Sequence, residues 1–510
     1  MTKPVPSFDL VSAKEAQQRG EFDECLALIE GIPACTREFA QGLCLRGRIL
    51  LARDPVRAVS TLKEGAFLVT DFPDEHTEIQ ILLGRALTFT DQFELADRVL
   101  RRALERAQEL RSRRLQAYAA FNLATLLSMR SAYDEAERYV AIAASDPNSI
   151  AQARAHTISS FVSAARGDYR GQLTQAREAL QALKSANEVD IALEATLTHV
   201  VAALGSELCD EDALRLAHAH ARELPWTPDV RVEEFQTYRA LGLAAGLTGD
   251  RLAVIRCYRR AIDLAPTAPW RVLAHLSLAK FLREHETWIW QAELAHADDL
   301  GSGVDWRNVR GPEQQALILF IELYADADPA LATKYSTLLH AGTQLDSRHS
   351  QRWDGRLKAH KQYALGVLLT AEDADHARGL LEEAWRIYER IGYAWRAAET
   401  SLAMLDVCPP AESALWLTRA NRIFAVAPQS GIAARLTHRS SRDSPRGVQL
   451  NPGPARVREL LFQGKTIAEI CAALCISRNT VNKHIAAVKR SYGVSNLNQL
   501  LARGIQQHLG

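Results

Sequence analysis

The stretch Tyr238–Pro266 reads YRALGLAAGLTGDRLAVIRCYRRAIDLAP. Tyr238, Leu241 and Gly242 stand at helical spacing, and so do Tyr258 and Ala261 beyond the Gly249-Asp250 pair. Residues three and four apart share one face of a helix. Gly242 has no Cβ, so a second helix can come close to it. Tyr258 and Ala261 sit where they would pack back into the first helix. Gly249-Asp250 supplies the turn, and Pro266 stops the second helix because it has no amide donor. The stretch predicts two antiparallel helices joined by a tight turn.

The arrangement recurs. Leu83-Gly84 leads to Ala96, Leu100 and Ala103, with the turn at Asp91-Gln92-Phe93. Leu123-Ala124 leads to Ala136, Val140 and Ala143, with the turn at Ser131-Ala132-Tyr133. Weaker copies turn at Arg19-Gly20-Glu21-Phe22, Gly167-Asp168-Tyr169 and Asp373-Ala374-Asp375. This pattern resembles the tetratricopeptide repeat, although the step from Ala96 to Ala136 exceeds its usual period of roughly 34 residues. Residues 1–428 are expected to form roughly ten helix pairs, stacked as an α-solenoid with a concave face for partners.

Composition agrees with a folded chain. Of 510 residues, 47% are apolar, 24% charged and 7% aromatic, which excludes a disordered or collagen-like protein. No apolar run approaches the roughly 18 residues that span a membrane. The start, Met1-Thr-Lys-Pro-Val-Pro, has no signal-peptide core, so a cytoplasmic location is expected. The eight cysteines form no CxxC pair and read as small buried side chains in a reducing compartment. His218 and His220 are two apart, a poor spacing for a metal on a helix. Gly464-Lys465-Thr466 imitates the end of a phosphate-binding loop, but Glu459 stands where its first glycine belongs and no strand precedes it. No other catalytic or metal motif is found, so no catalytic residue, metal or cofactor is expected. The nine tryptophans all lie between Trp226 and Trp416. They either fill irregular gaps between repeats, the plainer reading, or line a ligand pocket.

Net charge is zero, from 61 basic and 61 acidic residues. The charge is segregated. Residues 431–510 hold twelve Lys/Arg and three Asp/Glu, so the tail is +9 and residues 1–430 are −9. A basic module on an acidic body follows. Between them, residues 429–448 include Arg439-Ser-Ser-Arg-Asp-Ser-Pro-Arg-Gly447 and read as a flexible basic linker.

Residues 449–510 predict four short helices. The first runs from about Ala455 to Gln463 and stops at Gly464. Thr466-x-x-Glu469 is a capping box that opens a second over Ile467–Cys475. Ser477 caps a third, Arg478 to about Tyr492. Val481, Ile485 and Val488 form its apolar stripe, and Asn479, Asn482, Lys483, Lys489 and Arg490 its polar face. Asn496-x-x-Gln499 opens the fourth. Two short helices, a tight turn and a basic second helix make a helix-turn-helix, which sets that second helix in the major groove. Lysine and arginine supply the phosphate contacts, and Asn482 and Lys483 carry groups that can read base edges.

This tail resembles the LuxR/FixJ-type DNA-binding domain. The matching residues are Leu450-x-Pro452, Gln463-Gly464, Glu469-Ile470, Leu474, Ile476-Ser477, Thr480-Val481, His484 and Gly493-Val494-Ser495. The resemblance implies base contacts at Asn482, Lys483 and the place of Ala486, with Asn479 added as a base-reading candidate. It implies phosphate contacts at Thr466, Arg478, Thr480, Lys489 and Arg490, and pairing of two domains through the fourth helix. Pro454 departs from an acidic position of that family, Ile467 and Ala468 replace polar residues common there, and Ala486 offers no donor. His484 reads equally as a buried orienting residue or a DNA contact. Leu380–Gly392 is similar to the helical-repeat region of large LuxR-type ATP-dependent activators, whose nucleotide-binding domain this sequence lacks.

The expectation is an all-α protein: a tetratricopeptide-like α-solenoid followed by a four-helix LuxR-type helix-turn-helix domain. Its function would be sequence-specific transcription regulation on double-stranded DNA, as a homodimer. A peptide, metabolite or protein would occupy the array, RNA polymerase is a further partner, and no membrane is involved. The alternative is a repeat scaffold or adaptor whose tail serves protein contacts.

Overall fold

In the computed structural model the described residues are 9–443 and 456–491. Residues 20, 31, 34–35, 131, 187–189, 285–288, 307–313, 344–354, 459, 462–464, 475 and 477 fall outside the description. Alanine and leucine at three- and four-residue spacing make helices, and short polar side chains start them. Asp9, Thr36, Asp54, Ser112, Asn148, Asp168, Asp190, Asp210, Asp250 and Asp373 each accept a backbone N–H of the first helical turn. No strand occurs among the described residues.

The chain divides into two compact units, Met1–Ile432 and Ala433–Gly510. The first is built of helix pairs, eleven among the described residues. They begin with α1 (Leu10–Gln18) and α2 (Phe22–Ile29), α3 (Arg37–Arg53) and α4 (Pro55–Leu68), and α5 (Pro73–Phe89) and α6 (Phe93–Glu109). Next come α7 (Arg113–Met129) with the split helix α8 (Tyr133–Arg138) and α9 (Val140–Ala143), then α10 (Ser149–Ala165) and α11 (Tyr169–Lys184). They continue through α12 (Ile191–Leu208) and α13 (Glu211–Glu223), α14 (Arg231–Leu247) and α15 (Arg251–Leu264), and α16 (Ala268–Glu284) and α17 (Ile289–Gly301). The last are α18 (Gln314–Ala327) and α19 (Pro329–Thr343), α20 (Gly355–Leu369) and α21 (Ala374–Ile391), and α22 (Ala394–Met404) with α23 (Ser413–Ala420) and α24 (Ile423–Val426). This is the tetratricopeptide-like α-solenoid that the repeats predict.

The reason for the glycine is visible in the opening stretch. A Cβ built on Gly242 of α14 would lie 3.0 Å from the Tyr258 ring of α15. At Gly84 of α5 it would lie 2.4 Å from Leu100 Cγ of α6. Gly249 closes its turn at φ +77°, a conformation that costs glycine little. Ion pairs then stitch one repeat to the next. Arg37–Glu75 (2.6 Å), Arg101–Glu135 (2.8 Å), Arg154–Asp190 (3.3 Å) and Arg422–Glu389 (3.0 Å) each join residues about one repeat apart.

Three expectations need correction. The helix after α7 breaks at Tyr139, whose hydroxyl accepts from Arg101 at 3.0 Å, instead of running on to Ala143. Helix α12 is long and apolar enough by composition to cross a membrane; it packs against α11, α13 and α14 in the array and carries Glu194, His199 and Glu207. Finally, α25 (Gly431–Asp443) occupies most of the segment read as a flexible linker. Arg435 is exposed and Arg439 half-buried on this helix, so polarity there goes with helix and not with loose chain. Residues 444–448 lie outside the described ones.

In the second unit, the helices Ile467–Leu474 and Arg478–Ser491 pack through Ile470, Val481, Ile485 and Val488, together with Val457 and Leu461 from the first helical segment. The capping box is present. Thr466 N–H donates to Glu469 Oε2 at 2.8 Å, and Glu469 N–H donates to Thr466 Oγ1 at 3.3 Å. The fourth helix falls outside the described residues.

Candidate functional site

The array closes on itself. Tyr169 of α11 meets Tyr393 at a ring-centroid distance of 5.6 Å, and α12 touches α22. The first helices of six consecutive pairs, α12, α14, α16, α18, α20 and α22, thereby surround one cavity of about 190 Å³. Its walls carry His199 and Glu207 from α12, Gln236 and Arg239 from α14, and Lys280 and Phe281 from α16. Glu322 comes from α18, Arg356 and His360 from α20, and Trp395 and Arg396 from α22. Leu243, Leu247, Ile318 and Leu319 make part of the lining apolar. Ser430 and Ile432, the last residues before the second unit, complete it.

Burial decides the electrostatics here. Lys280 Nζ lies 2.7 Å from Glu322 Oε2 and 3.0 Å from Glu399 Oε1. Arg396 reaches the other Glu399 oxygen at 2.9 Å. These side chains are only 2–12% exposed, so each charge depends on its partners rather than on water. Arg239 and Arg356 differ. Neither enters an ion pair among the described residues; Arg239 Nε donates to Gln236 Oε1 at 3.1 Å, and Arg356 lies beside Tyr393. Burial, with Arg356 and Arg396 nearby, pulls the Arg239 pKa down. Burial, then Arg239 and Arg356, lowers His199 to about 3, so its imidazole is neutral. Glu207 Oε2, His199 Nδ1 and Arg396 Nε are buried without a hydrogen-bond partner.

None of these residues stood out in sequence, yet a signal exists. Lys280, Glu322 and Glu399 are lone charges within the apolar runs LSLAKFL, LFIELY and AAETSLAM. A charge placed where a helix is otherwise buried needs partners from another element. Trp306, Trp395 and Trp416 are all buried in the core, as the gap-filling reading has it, and Trp395 also borders the cavity. His220 is buried and bonds Glu194 at 3.0 Å, while His218 is exposed. Among the described residues no group of three or more His, Cys, Asp or Glu could hold a metal.

The tail residues singled out in sequence lie on or beside its two described helices. Asn482 and Lys483 are exposed, opposite the buried Val481, Ile485 and Val488. Arg478 is exposed at the start of the same helix; Thr480, His484 and Lys489 are half-buried, and Ala486 is exposed. Asn479 and Arg490 belong to that helix, but their side chains lie outside the described ones. Thr466 is exposed, and its hydroxyl donates to Glu469 Oε2 at 2.9 Å. Those cap bonds hold the Glu469 carboxyl below its ordinary pKa, the backbone N–H of Thr466 most of all.

No protein-family model matches this chain, and no curated protein matches its sequence. Solved structures with a similar helical course include a Rap protein complexed with competence and sporulation factor. It is 10% identical, with 71% of this chain and 99% of that chain covered at a TM-score of 0.45. Yeast Tom70 is 12% identical, covering 80% and 98% at 0.28. The APC/C hetero-tetramer Cut9–Hcn1 is 13% identical, covering 86% and 93% at 0.26. On its own geometry, the chain is an all-α protein built on a tetratricopeptide-like helical-repeat array.

Proposed function

We propose that this chain is a DNA-binding transcription regulator whose repeat array receives a peptide, metabolite or protein. The observation that carries the DNA reading is the two-faced Arg478–Ser491 helix. Its apolar stripe is buried, and Asn482 and Lys483 are exposed behind a capped, closely packed Ile467–Leu474 helix. That disposition suits insertion into a major groove, with Asn482, Lys483 and Asn479 at base edges. Arg478, Thr480, Lys489 and Arg490 would hold phosphates. Thr466 is the weakest of the phosphate candidates, because its hydroxyl is committed to the cap. The regulator would act in the cytoplasm as a homodimer and could contact RNA polymerase. Occupancy of the array cavity would be felt at Ser430 and Ile432, from which α25 leads on to the tail.

Selection of duplexes from a random pool by the full chain tests this. A preferred motif is expected, and Asn482→Ala/Lys483→Ala should erase discrimination worth about 1–3 kcal/mol per base contact. Arg478→Ala should weaken binding to all sequences and lower the salt slope by about one. An unchanged preference in the double variant would refute the assigned readout.

The second reading is a repeat scaffold or adaptor whose tail makes protein contacts. It is favoured by the helical-repeat array itself, a form that presents a broad surface to partners. Failure to select any motif, with partner binding retained, would favour it.

A further inference from the structure

We propose that the cavity enclosed by α12 to α22 binds a small amphiphilic zwitterion. Its anionic group would lie with Arg239 and Arg356, and its donor end with Glu207. The inference deepens the reading of the array as a receiver and rests on it.

Three observations converge. First, the charges in the cavity are unequally served. Lys280, Glu322, Glu399 and Arg396 pair with one another. Arg239 and Arg356 line the same space with no carboxylate within ion-pair distance among the described residues. Glu207 is the carboxylate whose field reaches both, from beyond ion-pair distance. Two desolvated guanidiniums that share one distant carboxylate favour a further bound anion, and their planar forks suit a carboxylate. Second, Glu207 Oε2 is buried and accepts no hydrogen bond. A buried acceptor is costly to leave unmet, and an ammonium or hydroxyl of a ligand would satisfy it. Third, Leu243, Leu247, Phe281 and Ile318 supply an apolar wall, so the body between the polar ends is aliphatic. The cavity volume is about 190 Å³. At 10–15 Å³ per water this is room for on the order of a dozen waters, hence for roughly the size of a dipeptide.

The probes are Leu-Gly, its C-terminal amide and its N-acetyl derivative, titrated into the full chain without DNA by calorimetry and followed by thermal unfolding. Leu-Gly should bind and raise the melting temperature. The amide should bind at least about tenfold more weakly, a loss of about 1.4 kcal/mol. N-acetylation should also weaken binding, through Glu207. Burial disfavours the Arg239 charge, so Arg239→Gln should melt no lower than the parent when empty, whereas Tyr393 and Glu207 favour the Arg356 charge and Arg356→Gln should melt lower. Both should lose the stabilisation by Leu-Gly. A ligand response left intact in either variant would make that arginine merely structural and overturn the proposal. So would no binding of Leu-Gly up to about 1 mM, or equal binding of the amide. Because no DNA is present, these outcomes are separate from failure of the DNA reading. If Leu-Gly binds as expected but no ligand alters DNA affinity, the receiver reading fails and the site stands.

Discussion

Replacing Gly84 by alanine tests the close helix approach on which the repeat depends, with Gly379→Ala as its internal control. Both glycines lie inside helices, Gly84 in α5 and Gly379 in α21. In both, alanine gains helix propensity worth about 1 kcal/mol. They differ in what a Cβ would meet. At Gly84 it would stand 2.4 and 2.5 Å from Leu100 Cγ and Cδ2, and Leu100 is fully buried; at Gly379 nothing lies within 4 Å. Overpacking of this kind costs about 1–3 kcal/mol. The propensity gain cancels between the two variants, so their difference isolates the steric cost. A repeat array need not unfold in one step, so a global midpoint would dilute the effect. Hydrogen exchange resolved to α5 and α6 reads it locally. Relative to Gly379→Ala in α21, Gly84→Ala should open its own helix pair about 5- to 150-fold more often, the equivalent of 1–3 kcal/mol. If both variants slow exchange in their own helices equally, the α5–α6 contact is looser than described and the glycine reasoning fails.

Two further outcomes concern the cavity. Lys280→Met should destabilise the array by about 3–5 kcal/mol, because it strands the buried Glu322 and takes one partner from the buried Glu399. In the same denaturant series, Arg215→Met, which removes exposed pairs to Glu211 and Asp212, should cost below about 1 kcal/mol. The third outcome is a pH dependence. His199 has its pKa depressed from 6.5 to about 3 in the fold, so between those values the unfolded chain binds the proton and the folded one does not. Stability is therefore full above pH 6.5 and falls as pH drops toward 3, by at most about 1.4 kcal/mol per pH unit for this proton. His199→Leu should flatten that part of the curve, measured by urea unfolding at stepped pH. An identical slope in the variant would remove His199 as its cause.

Much of the architecture was legible because its causes are local. Asp168, Asp250 and Asp373 start helices wherever they stand, and Gly249 turns the chain through its own conformational freedom. The capping box at Thr466 and Glu469 formed as its spacing demands. The segment after Pro428 was harder. Arginine and serine imply solvent exposure, which a linker and a helix surface share, and Gly431–Asp443 proved to be helix, with Arg435 exposed and Arg439 half-buried. The break at Tyr139 was not legible either, since Ala136, Val140 and Ala143 keep helical spacing across it.

The cavity marks the boundary between the two kinds of knowledge. What is legible from sequence is that helices pair, where they turn, that charge is divided between body and tail, and that Val481, Ile485 and Val488 form one apolar stripe. Those properties depend on neighbours within about one repeat. The meeting of α12 with α22, the pairing of Lys280 with Glu322 and Glu399, and the lack of an ion-pair partner for Arg239 and Arg356 among the described residues belong to the tertiary structure. Each of these depends on the small rotation from one pair to the next, summed over six pairs, and no local pattern carries that sum.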